Sequence, residues 1–576
     1  MTATGTGAVR IGNCSGYYGD RLSAMREMLE GGDLDYLTGD YLAELTMLIL
    51  GRDQLKDPAL GYAKTFVTQI ADTMALIRST GVRVVANAGG LNPAGLAERL
   101  RSIAAEQGVD LAIAHVDGDD LRSRAEHLGF GRVLTANAYL GAFGIAAALE
   151  RGAAIVVTGR VTDASLVVGP AIAHHGWARN DFDALAGAVV AGHVIECGTQ
   201  ATGGNFSGFR TIPIDRPLGF PIAEIAPGGD SVITKHRGTG GAVTVDTVTA
   251  QLLYEVQGPV YLNPDVAARL DSLALTPDGP DRVRISGVKG APPPPDTKVC
   301  LNTLDGFRNS VEFVLTGLDI PDKATWIRRQ LEAAIDPSVT VEWHLARTAV
   351  ADPPTQAPAT SLLRLDARAA APEPVGRAFS DAAVQVALAS YPGFTVTRPP
   401  AAGTPVGVYR AAYLSQGEVT HIVHHADRRT EELAPPVVVE SPMVAESPAV
   451  PTGMPPGPNV IGTRAPLGAV TYARSGDKGG DANVGVWVPA DHPQREAAVA
   501  WLIDLLDDAA VRDLLPEAAD LDIDIHPLPN LGGVNIVLHG LLGEGVASST
   551  RFDPQAKALG EWLRARFVTI PAEFIR

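Results

Sequence analysis

The first pattern in the chain is Val9-Arg10-Ile11-Gly12-Asn13-Cys14-Ser15-Gly16-Tyr17-Tyr18-Gly19-Asp20-Arg21, a short apolar strand that leads through a polar loop into a helix. The same succession of strand and polar loop returns at 35–40, 82–93, 111–119 and 153–163. Helix-like segments separate most of these strands, for example 21–29 and 59–79. Because strands that alternate with helices are typical of βαβ units, the sequence predicts an α/β fold with a parallel sheet.

Polar residues follow the predicted strands at the edge where such sheets bind ligands. We assign Asn13, Ser15, Asp20 and Asn87 to substrate binding. The backbone N–H groups at the first helix start suit an anion such as phosphate or carboxylate. The loop does not match the G-x-G-x-x-G dinucleotide fingerprint. The alternative is an ordinary strand-to-helix turn, with Asp20 favoured by the helix dipole.

A further polar loop is Gly159-Arg160-Val161-Thr162-Asp163-Ala164-Ser165. Arg160 could bind a carboxylate or phosphate through two parallel hydrogen bonds, and Asp163 could act as a base. The alternative is that Thr162 or Asp163 caps the helix that follows. Both roles are compatible, so we assign Arg160 to substrate binding and Asp163 to catalysis.

A glycine-punctuated segment at 192–206 carries the second group of candidate catalytic residues. His193, Glu196 and Cys197 are spaced i, i+3 and i+4, so they share one face of a helix. This spacing fits a general acid/base pair beside a thiol nucleophile. A metal site is one alternative, but zinc ligands are not known to have this spacing. The structural alternative is the C-terminal end of a helix that is capped at Gly198. Gln200 and Asn205, in the loop that follows, are assigned to substrate binding, and no metal is assigned.

A second glycine-punctuated segment spans 473–485. It is predicted as a loop of about eight residues, longer than a plain hairpin turn needs. We interpret it as a lid over the pocket or an oligomer contact, and the alternative is a solvated turn held by its own weak ion pairs. The residues assigned to substrate binding are Arg474, Asp477, Lys478, Asp481 and Asn483.

The chain divides into three parts by composition. The α/β domain is assigned to 9–432, with an α+β portion from about 281. Residues 433–466 contain nine prolines and are predicted to be a semi-rigid linker. Residues 467–576 show a β-α-β-β-α rhythm, which predicts a small antiparallel sheet with helices on one face. Residues 134–149 are predicted to form one buried helix. Just before the linker stand three histidines that we interpret as exposed polar residues with no metal role: His421, His424 and His425.

The composition excludes several classes of protein. The formal charge of −18 and the lack of a basic run argue against nucleic acid as a partner. Three scattered cysteines predict neither disulfides nor a zinc knuckle, so we expect a cytoplasmic protein. The N-terminus has no signal-peptide pattern, and no apolar stretch reaches about 18 residues, so no membrane partner is expected. We expect a homo-oligomer that binds a small molecule.

Long segments of the chain resemble the acyclic terpene utilisation protein family, AtuA. They include the D-Y-L-T-G-D-Y-L-A-E, T-G-R-V-T-D-A-S and I-T-K-H-R-G-T-G-G-A-V-T segments, together with 11–20, 86–93 and 192–206. The segments 473–485 and 535–546 are similar to the family's C-terminal ferredoxin-fold domain. The resemblance implies an N-terminal AtuA domain followed by this α+β domain. It also implies a link to the breakdown of acyclic terpenes such as citronellol and geraniol through acyl-CoA intermediates, and it carries over no catalytic residues.

These observations predict an enzyme that acts on a branched or unsaturated acyl-CoA or a related carboxylate. Hydration, dehydration or lyase chemistry needs acid/base residues and an oxyanion site. Glu196 and His193 would transfer the proton, while Arg160 or the Asn13 loop would bind the anionic end. Coenzyme A enters only as part of the substrate. The alternative is a non-catalytic binding or scaffold subunit of an acyl-CoA-processing complex.

Overall fold

The computed structural model describes residues 7–441 and 462–575. The chain forms two compact units. The first comprises Met1–Asn302, Tyr409–Val546 and Asp553–Arg576, and the second comprises Thr303–Val408 and Ala547–Phe552. Within the described ranges, no helix has both the length and the apolar character needed to cross a membrane.

The strands are numbered in chain order. In the first half of the chain they are β1 (Val9–Asn13), β2 (Tyr36–Gly39), β3 (Arg83–Ala86), β4 (Ile113–Asp117), β5 (Thr135–Ala138), β6 (Ile155–Thr158), β7 (Pro221–Ile225), β8 (Ser231–Lys235), β9 (Val260–Leu262), β10 (Ala267–Arg269), β11 (Ala274–Pro277), β12 (Val283–Ser286) and β13 (Lys289–Ala291). Those that follow are β14 (Asp296–Thr316), β15 (Thr340–Ala346), β16 (Thr360–Ala369), β17 (Thr404–Ser415), β18 (His421–His424), β19 (Thr430–Leu433), β20 (Gly462–Pro466), β21 (Tyr472–Lys478), β22 (Asp481–Trp487), β23 (Ile523–Leu528), β24 (Gly533–Leu538) and β25 (Phe567–Pro571).

The helices are α1 (Ala24–Glu30), α2 (Glu44–Lys56), α3 (Lys64–Thr80), α4 (Pro93–Gln107), α5 (Phe143–Glu150), α6 (Ser165–His175), α7 (Phe182–Ile195), α8 (Val245–Leu252), α9 (Ile320–Ala334), α10 (Arg377–Gln385), α11 (Arg495–Leu505), α12 (Asp508–Leu514) and α13 (Leu559–Ala565). The signals that bound α4 are local. The Asn92 side chain accepts a hydrogen bond from the Gly95 N–H at 2.9 Å, and Pro93 occupies the first turn. Gly108 ends the helix with a φ of 67°, which glycine adopts without strain.

The main sheet of the first unit has the strand order β11-β12-β8-β7-β1-β2-β3-β6-β4-β18-β19. Its centre, from β1 to β4 in this order, is parallel. Antiparallel strands extend it on both sides. Successive residues of β6 alternate between two apolar clusters, Val156 in one and Ile155 and Val157 in the other, so both faces of the centre are buried. The predicted α/β fold with a parallel sheet is therefore confirmed.

Residues 134–149 do not form one helix. Thr135–Ala138 is strand β5, and α5 begins only at Phe143. β5 pairs with the first part of β14, where Asn137 lies opposite Cys300. Because the pairing partner is distant in sequence and the segment is apolar throughout, its periodicity could not separate strand from helix.

The three histidines before the predicted linker are not simply exposed polar residues, as the sequence predicts. His421–His424 is strand β18 of the main sheet, and His425 is buried. Most of the predicted linker, 442–461, lies outside the described residues. At its described ends, Leu433 completes β19, and Gly462–Pro466 is strand β20, which pairs with β25.

The C-terminal part of the first unit contains a four-stranded antiparallel sheet of order β21-β22-β24-β23. Helices α11, α12 and α13 share one apolar cluster with it, which includes Val484, Ile536, Leu502 and Leu563. The segment that we predicted as a long charged loop is instead a hairpin. β21 and β22 pair from Tyr472 to Trp487 and are joined by Gly479 and Gly480, with Gly479 at a φ of 68°.

The second unit is an antiparallel α+β arrangement. β16 pairs with β15 on one side and with the later part of β14 on the other. Its core includes Phe313, Leu363, Ile327 and Phe379, so α9 and α10 contribute to the same apolar cluster as the strands.

Candidate functional site

A cavity of about 750 Å³ lies in the first unit. Residues from three regions meet in its wall. Tyr139 and Asp163 follow strands β5 and β6, Glu255 follows α8, and Lys478 ends β21. All four side chains are ionisable, so the wall can both transfer a proton and bind an anion.

Arg160 lies behind the cavity wall and holds the Asp163 side chain in place. Arg160 Nη1 donates to Asp163 Oδ1 at 2.9 Å and to the Leu42 carbonyl at 3.0 Å. The guanidinium lies 4.2 Å from the centre of the Tyr139 ring. Arg160 is 2% exposed and is not part of the cavity wall, so its guanidinium binds the protein's own groups. The structure thus brings together the two residues assigned in this loop and places Asp163 at the cavity.

Burial raises the pKa of Asp163, and the nearby carboxyl groups of Glu44 and Glu255 raise it further. Arg160 and Lys478 act in the opposite direction, but the pKa remains above its usual range. A raised pKa makes a carboxylate a stronger base, because it binds a proton more tightly. Asp163 therefore fits a general acid/base role.

Glu196 and His193 form a hydrogen-bonded pair, with Glu196 Oε1 3.0 Å from His193 Nδ1. Burial raises the pKa of Glu196 well above its usual range, and Asp163 raises it further. Burial and then Lys478 lower the pKa of His193 to about 4. The His193 ring is therefore neutral at pH 7.

This pair does not line the cavity. The His193 ring packs 4.8 Å from the centre of Tyr261, which does line it. Burial raises the pKa of the Cys197 thiol well above its usual range, which opposes a nucleophilic thiolate. The structure therefore places His193, Glu196 and Cys197 outside the cavity wall, where His193 packs against Tyr261 and Glu196 hydrogen-bonds to His193.

The polar residues at the strand ends bind one another. Asn87 Nδ2 donates to Asp40 Oδ1 at 2.6 Å, and Asn87 Oδ1 accepts from the Tyr41 N–H at 2.7 Å. Asn13 Oδ1 accepts from the Ser15 N–H at 3.0 Å, and Ser15 Oγ donates to the Asp40 carbonyl at 3.0 Å. Asn13, Ser15 and Asn87 thus hold the loops in place and do not line the cavity.

Asp20 has a similar local role. Its carboxylate accepts from the Gly16 and Arg21 N–H groups at 2.9 and 2.7 Å. A Cβ atom at Gly16 would lie 2.6 Å from the carbonyl carbon of Cys197, so glycine is required for the loop to approach this close. Asp20 therefore stabilises the loop conformation and does not contact the cavity.

Asp119, after β4, supports the same edge and gives a testable pH dependence. It accepts from Asn137 Nδ2 at 2.7 Å and from the Arg160 N–H at 2.8 Å, while burial raises its pKa to about 7. Since the unfolded pKa is about 3.9, the folded state binds the proton more tightly. The contribution of Asp119 to the free energy of unfolding is therefore largest below about pH 4, and on the order of 4 kcal/mol of it is lost as the pH rises to about 7 and above.

The Asp119→Asn variant keeps an acceptor oxygen and should lose this dependence. We expect the difference in Tm between about pH 5 and pH 8 to be smaller in the variant than in the wild-type chain. Asp110→Asn, at an exposed position, is the matched control and should behave as wild type. Equal slopes in the wild type and Asp119→Asn would contradict the assignment.

The hairpin of β21 and β22 packs on the segment after α8. Gly476 and Gly485 make this possible, since a Cβ atom there would lie 2.3 Å from the Tyr254 ring and 2.4 Å from Leu253 Cβ. Asn483 Nδ2 donates to the Leu253 carbonyl at 2.8 Å, and its Oδ1 accepts from the Glu255 N–H at 2.7 Å. Asn483 therefore holds Glu255 in its left-handed conformation, at a φ of 56°.

The charged residues of the hairpin have different surroundings. Arg474 is buried, donates to Gln200 Oε1 and lies 4.1 Å from the centre of the Tyr254 ring. Burial and the charge of Glu255 raise the pKa of Asp477 to about 7. Lys478 lines the cavity and makes no ion pair with the side chains in the described ranges.

Two assigned residues lie at the margins of this arrangement. Asp481 lines the cavity, and its Oδ1 accepts from the Gly540 N–H at 2.9 Å. Asn205 is exposed in a turn with a φ of 55° and is not part of the cavity wall.

Sequence reasoning missed a second group of residues in the wall. Lys298 Nζ lies 3.2 Å from Glu44 Oε1, which also accepts from the Tyr139 hydroxyl at 3.1 Å. Burial opposes ionisation of Glu44, but Lys298 and Arg160 outweigh it and lower the pKa. Tyr409 completes this side of the cavity. No glycine-rich loop surrounds these residues, and only the pairing of β5 with β14 brings Lys298 to the site.

Comparison with protein families matches residues 9–425 to the model described as acyclic terpene utilisation family protein AtuA. The chain belongs to this family. Residues 465–569 match the AtuA ferredoxin-like domain. No curated protein matches the chain. The AtuA region thus supplies Asp163 and Glu255 to the cavity, and the ferredoxin-like domain supplies Lys478 and Asp481.

Proposed function

We propose that this AtuA-family chain is an enzyme of acyl-CoA or branched carboxylic acid catabolism that uses acid/base chemistry of the hydratase, dehydratase or lyase type. The observation that carries the proposal is that Asp163, with its raised pKa, and the unpaired ammonium of Lys478 face the same cavity. A proton-transferring group beside a cation is what such reactions require when negative charge develops on a carboxylate or thioester oxygen.

Each group has a specific part in a dehydration. The Asp163 carboxylate accepts the proton from the carbon next to the carbonyl, and the electron pair of that C–H bond forms the new double bond. The neighbouring hydroxyl then leaves as water after it accepts that same proton from Asp163. Lys478 stabilises the negative charge on the carbonyl oxygen, and hydration follows the reverse path.

The remaining wall supports an acyl substrate. Tyr139, Tyr261 and Tyr409 line the cavity together with Pro294 and Pro295 and present apolar surface to a hydrocarbon chain. The volume of about 750 Å³ falls within the range of small-molecule sites. Arg410 lines the cavity at an exposed position, where it could bind the phosphates of a coenzyme A carrier.

Native mass spectrometry with a panel of branched acyl-CoA thioesters and the matching free acids tests this proposal. We expect one member of the panel to bind and to be converted to a product of altered mass, with a change of one water for hydration or dehydration. Lys478→Met should weaken binding of that compound about tenfold or more, as expected for loss of a charged hydrogen bond. The matched control Lys56→Met, at an exposed position, should bind as wild type.

The outcomes separate the proposal from its alternative. A thioester that binds and remains unchanged would indicate a binding subunit of an acyl-CoA-processing complex. Binding that is equally strong in Lys478→Met would contradict the assignment of the cavity.

A further inference from the structure

We propose that His115, Asp117 and His424 form a binding site for a divalent transition metal, with Zn²⁺ as the ion that best fits their chemistry. The three residues lie on neighbouring strands of the main sheet, β4 and β18. In this antiparallel pair His424 lies opposite His115, and Ile422 lies opposite Asp117. Because side chains alternate along a strand, His115, Asp117 and His424 project from the same face.

The ligand atoms are close enough to share one ion. His424 Nε2 lies 3.1 Å from Asp117 Oδ2, and His115 Nε2 lies 4.0 Å from the same oxygen. One ligand atom from each residue lies within 4.8 Å of the others. Zinc binds imidazole nitrogen and carboxylate oxygen at about 2.0–2.2 Å, so ligand atoms in such a site stand about 3–4 Å apart. Small side-chain rotations would bring the three into that range.

The two imidazole rings are already arranged in parallel. Their centroids are 4.3 Å apart, and the planes differ by 5°. His115 is 8% exposed, and its Nδ1 is buried without a hydrogen-bond partner among the residues that the structure describes. Burial of an imidazole nitrogen without a hydrogen-bond partner costs free energy unless another interaction of the same side chain offsets it.

The outer side of the cluster is open. Asp117 and His424 are each about one-third exposed, at 33% and 32% of their side-chain surface. Two nitrogens and one oxygen from the protein would leave a fourth position for water, as in zinc sites that are not purely structural. None of the three residues lines the cavity that contains Asp163, so this site goes beyond the proposed function.

The alternative for the same geometry is an ordinary polar contact between His424 and Asp117. Such a contact needs no metal and would explain the distance of 3.1 Å between them. It does not require the His115 ring to stack on His424, and it does not involve His115 Nε2. The two interpretations differ in their response to added metal.

The test uses the full chain, stripped of metal with EDTA and titrated with ZnCl₂ by calorimetry. We expect one Zn²⁺ per chain, with the same stoichiometry in native mass spectrometry. Co²⁺ in place of Zn²⁺ should give visible absorption bands that report a nitrogen and oxygen ligand set. Asp117→Asn and His424→Gln should each weaken binding at least about tenfold, since even outer-shell changes cost 10–100-fold.

His127→Gln is the matched control, because His127 is exposed and does not belong to the cluster. Its Zn²⁺ affinity and stoichiometry should equal those of the wild type. Circular dichroism checks that each variant is folded, and Asp117→Asn, which keeps the side-chain shape, decides the matter if His424→Gln does not fold. Zn²⁺ binding that is absent in the wild type, or unchanged in Asp117→Asn, would overturn the proposal.

Discussion

Replacement of Asp163 with asparagine is expected to lower kcat by about 10²–10⁴-fold, the usual contribution of a general acid or base. The amide has nearly the same shape as the carboxyl group and lines the same cavity, but it cannot accept or release a proton near neutral pH. Binding of the converted compound should change much less than turnover, since Lys478 remains in the wall. The expected signature is therefore a loss in kcat without a matching rise in Kd.

The measurement combines two readouts on the acyl-CoA or acid that the wild type converts. Native mass spectrometry gives the fraction of protein with bound compound, and the amount of product formed over time gives the rate of turnover. Asp110→Asn serves as the control, because it makes the same change at an exposed position outside the cavity. Full turnover in a folded Asp163→Asn protein would remove Asp163 from the mechanism and return attention to Glu255.

The second large effect concerns stability. Replacement of Arg160 with methionine is expected to destabilise the first unit by about 3–5 kcal/mol, as when one partner of a buried ion pair is removed. The change leaves the Asp163 carboxyl without its cation and removes the contact with the Leu42 carbonyl. It also removes the guanidinium from the Tyr139 ring, which lies 4.2 Å away. Arg160→Lys should fall between the variant and the wild type, because it keeps the charge and loses the planar fork.

Thermal and urea unfolding, followed by tryptophan fluorescence and circular dichroism, measure this effect. Arg99→Met is the matched control, since Arg99 lies at the surface and its ion pair with Glu106, at 3.3 Å, is exposed. The control should change stability by no more than about 0.5 kcal/mol. A similarly small change in Arg160→Met would show that the buried cluster is not held by Arg160.

The sequence predicts the α/β centre because its signals are local. β1, β2, β3, β4 and β6 are short apolar strands, each followed by a polar loop, and the structure finds all of them in the parallel part of the main sheet. Helix α4 shows the same dependence on local chemistry, with Asn92 and Pro93 at its start and Gly108 at its end. The antiparallel C-terminal sheet was also predicted, because its strands and helices alternate in a simple order.

The second glycine-punctuated segment marks a limit of this reasoning. Its charged residues and glycines indicated a loop, yet Tyr472–Lys478 and Asp481–Trp487 are strands. The glycines at 476 and 485 serve the close approach of this hairpin to Leu253 and Tyr254. A glycine that is needed for packing between distant segments cannot be told from a turn glycine by sequence alone.

The sequence by itself determined the parallel sheet, the family and the loop that contains Arg160 and Asp163, since periodicity and short-range motifs carry that information. Only the tertiary structure decided which residues meet. It packed His193 against Tyr261, placed Lys478 and Asp163 in the wall of one cavity, and paired β18 with β4. These contacts join segments far apart in the chain, and their pairing depends on burial and register that no local pattern records.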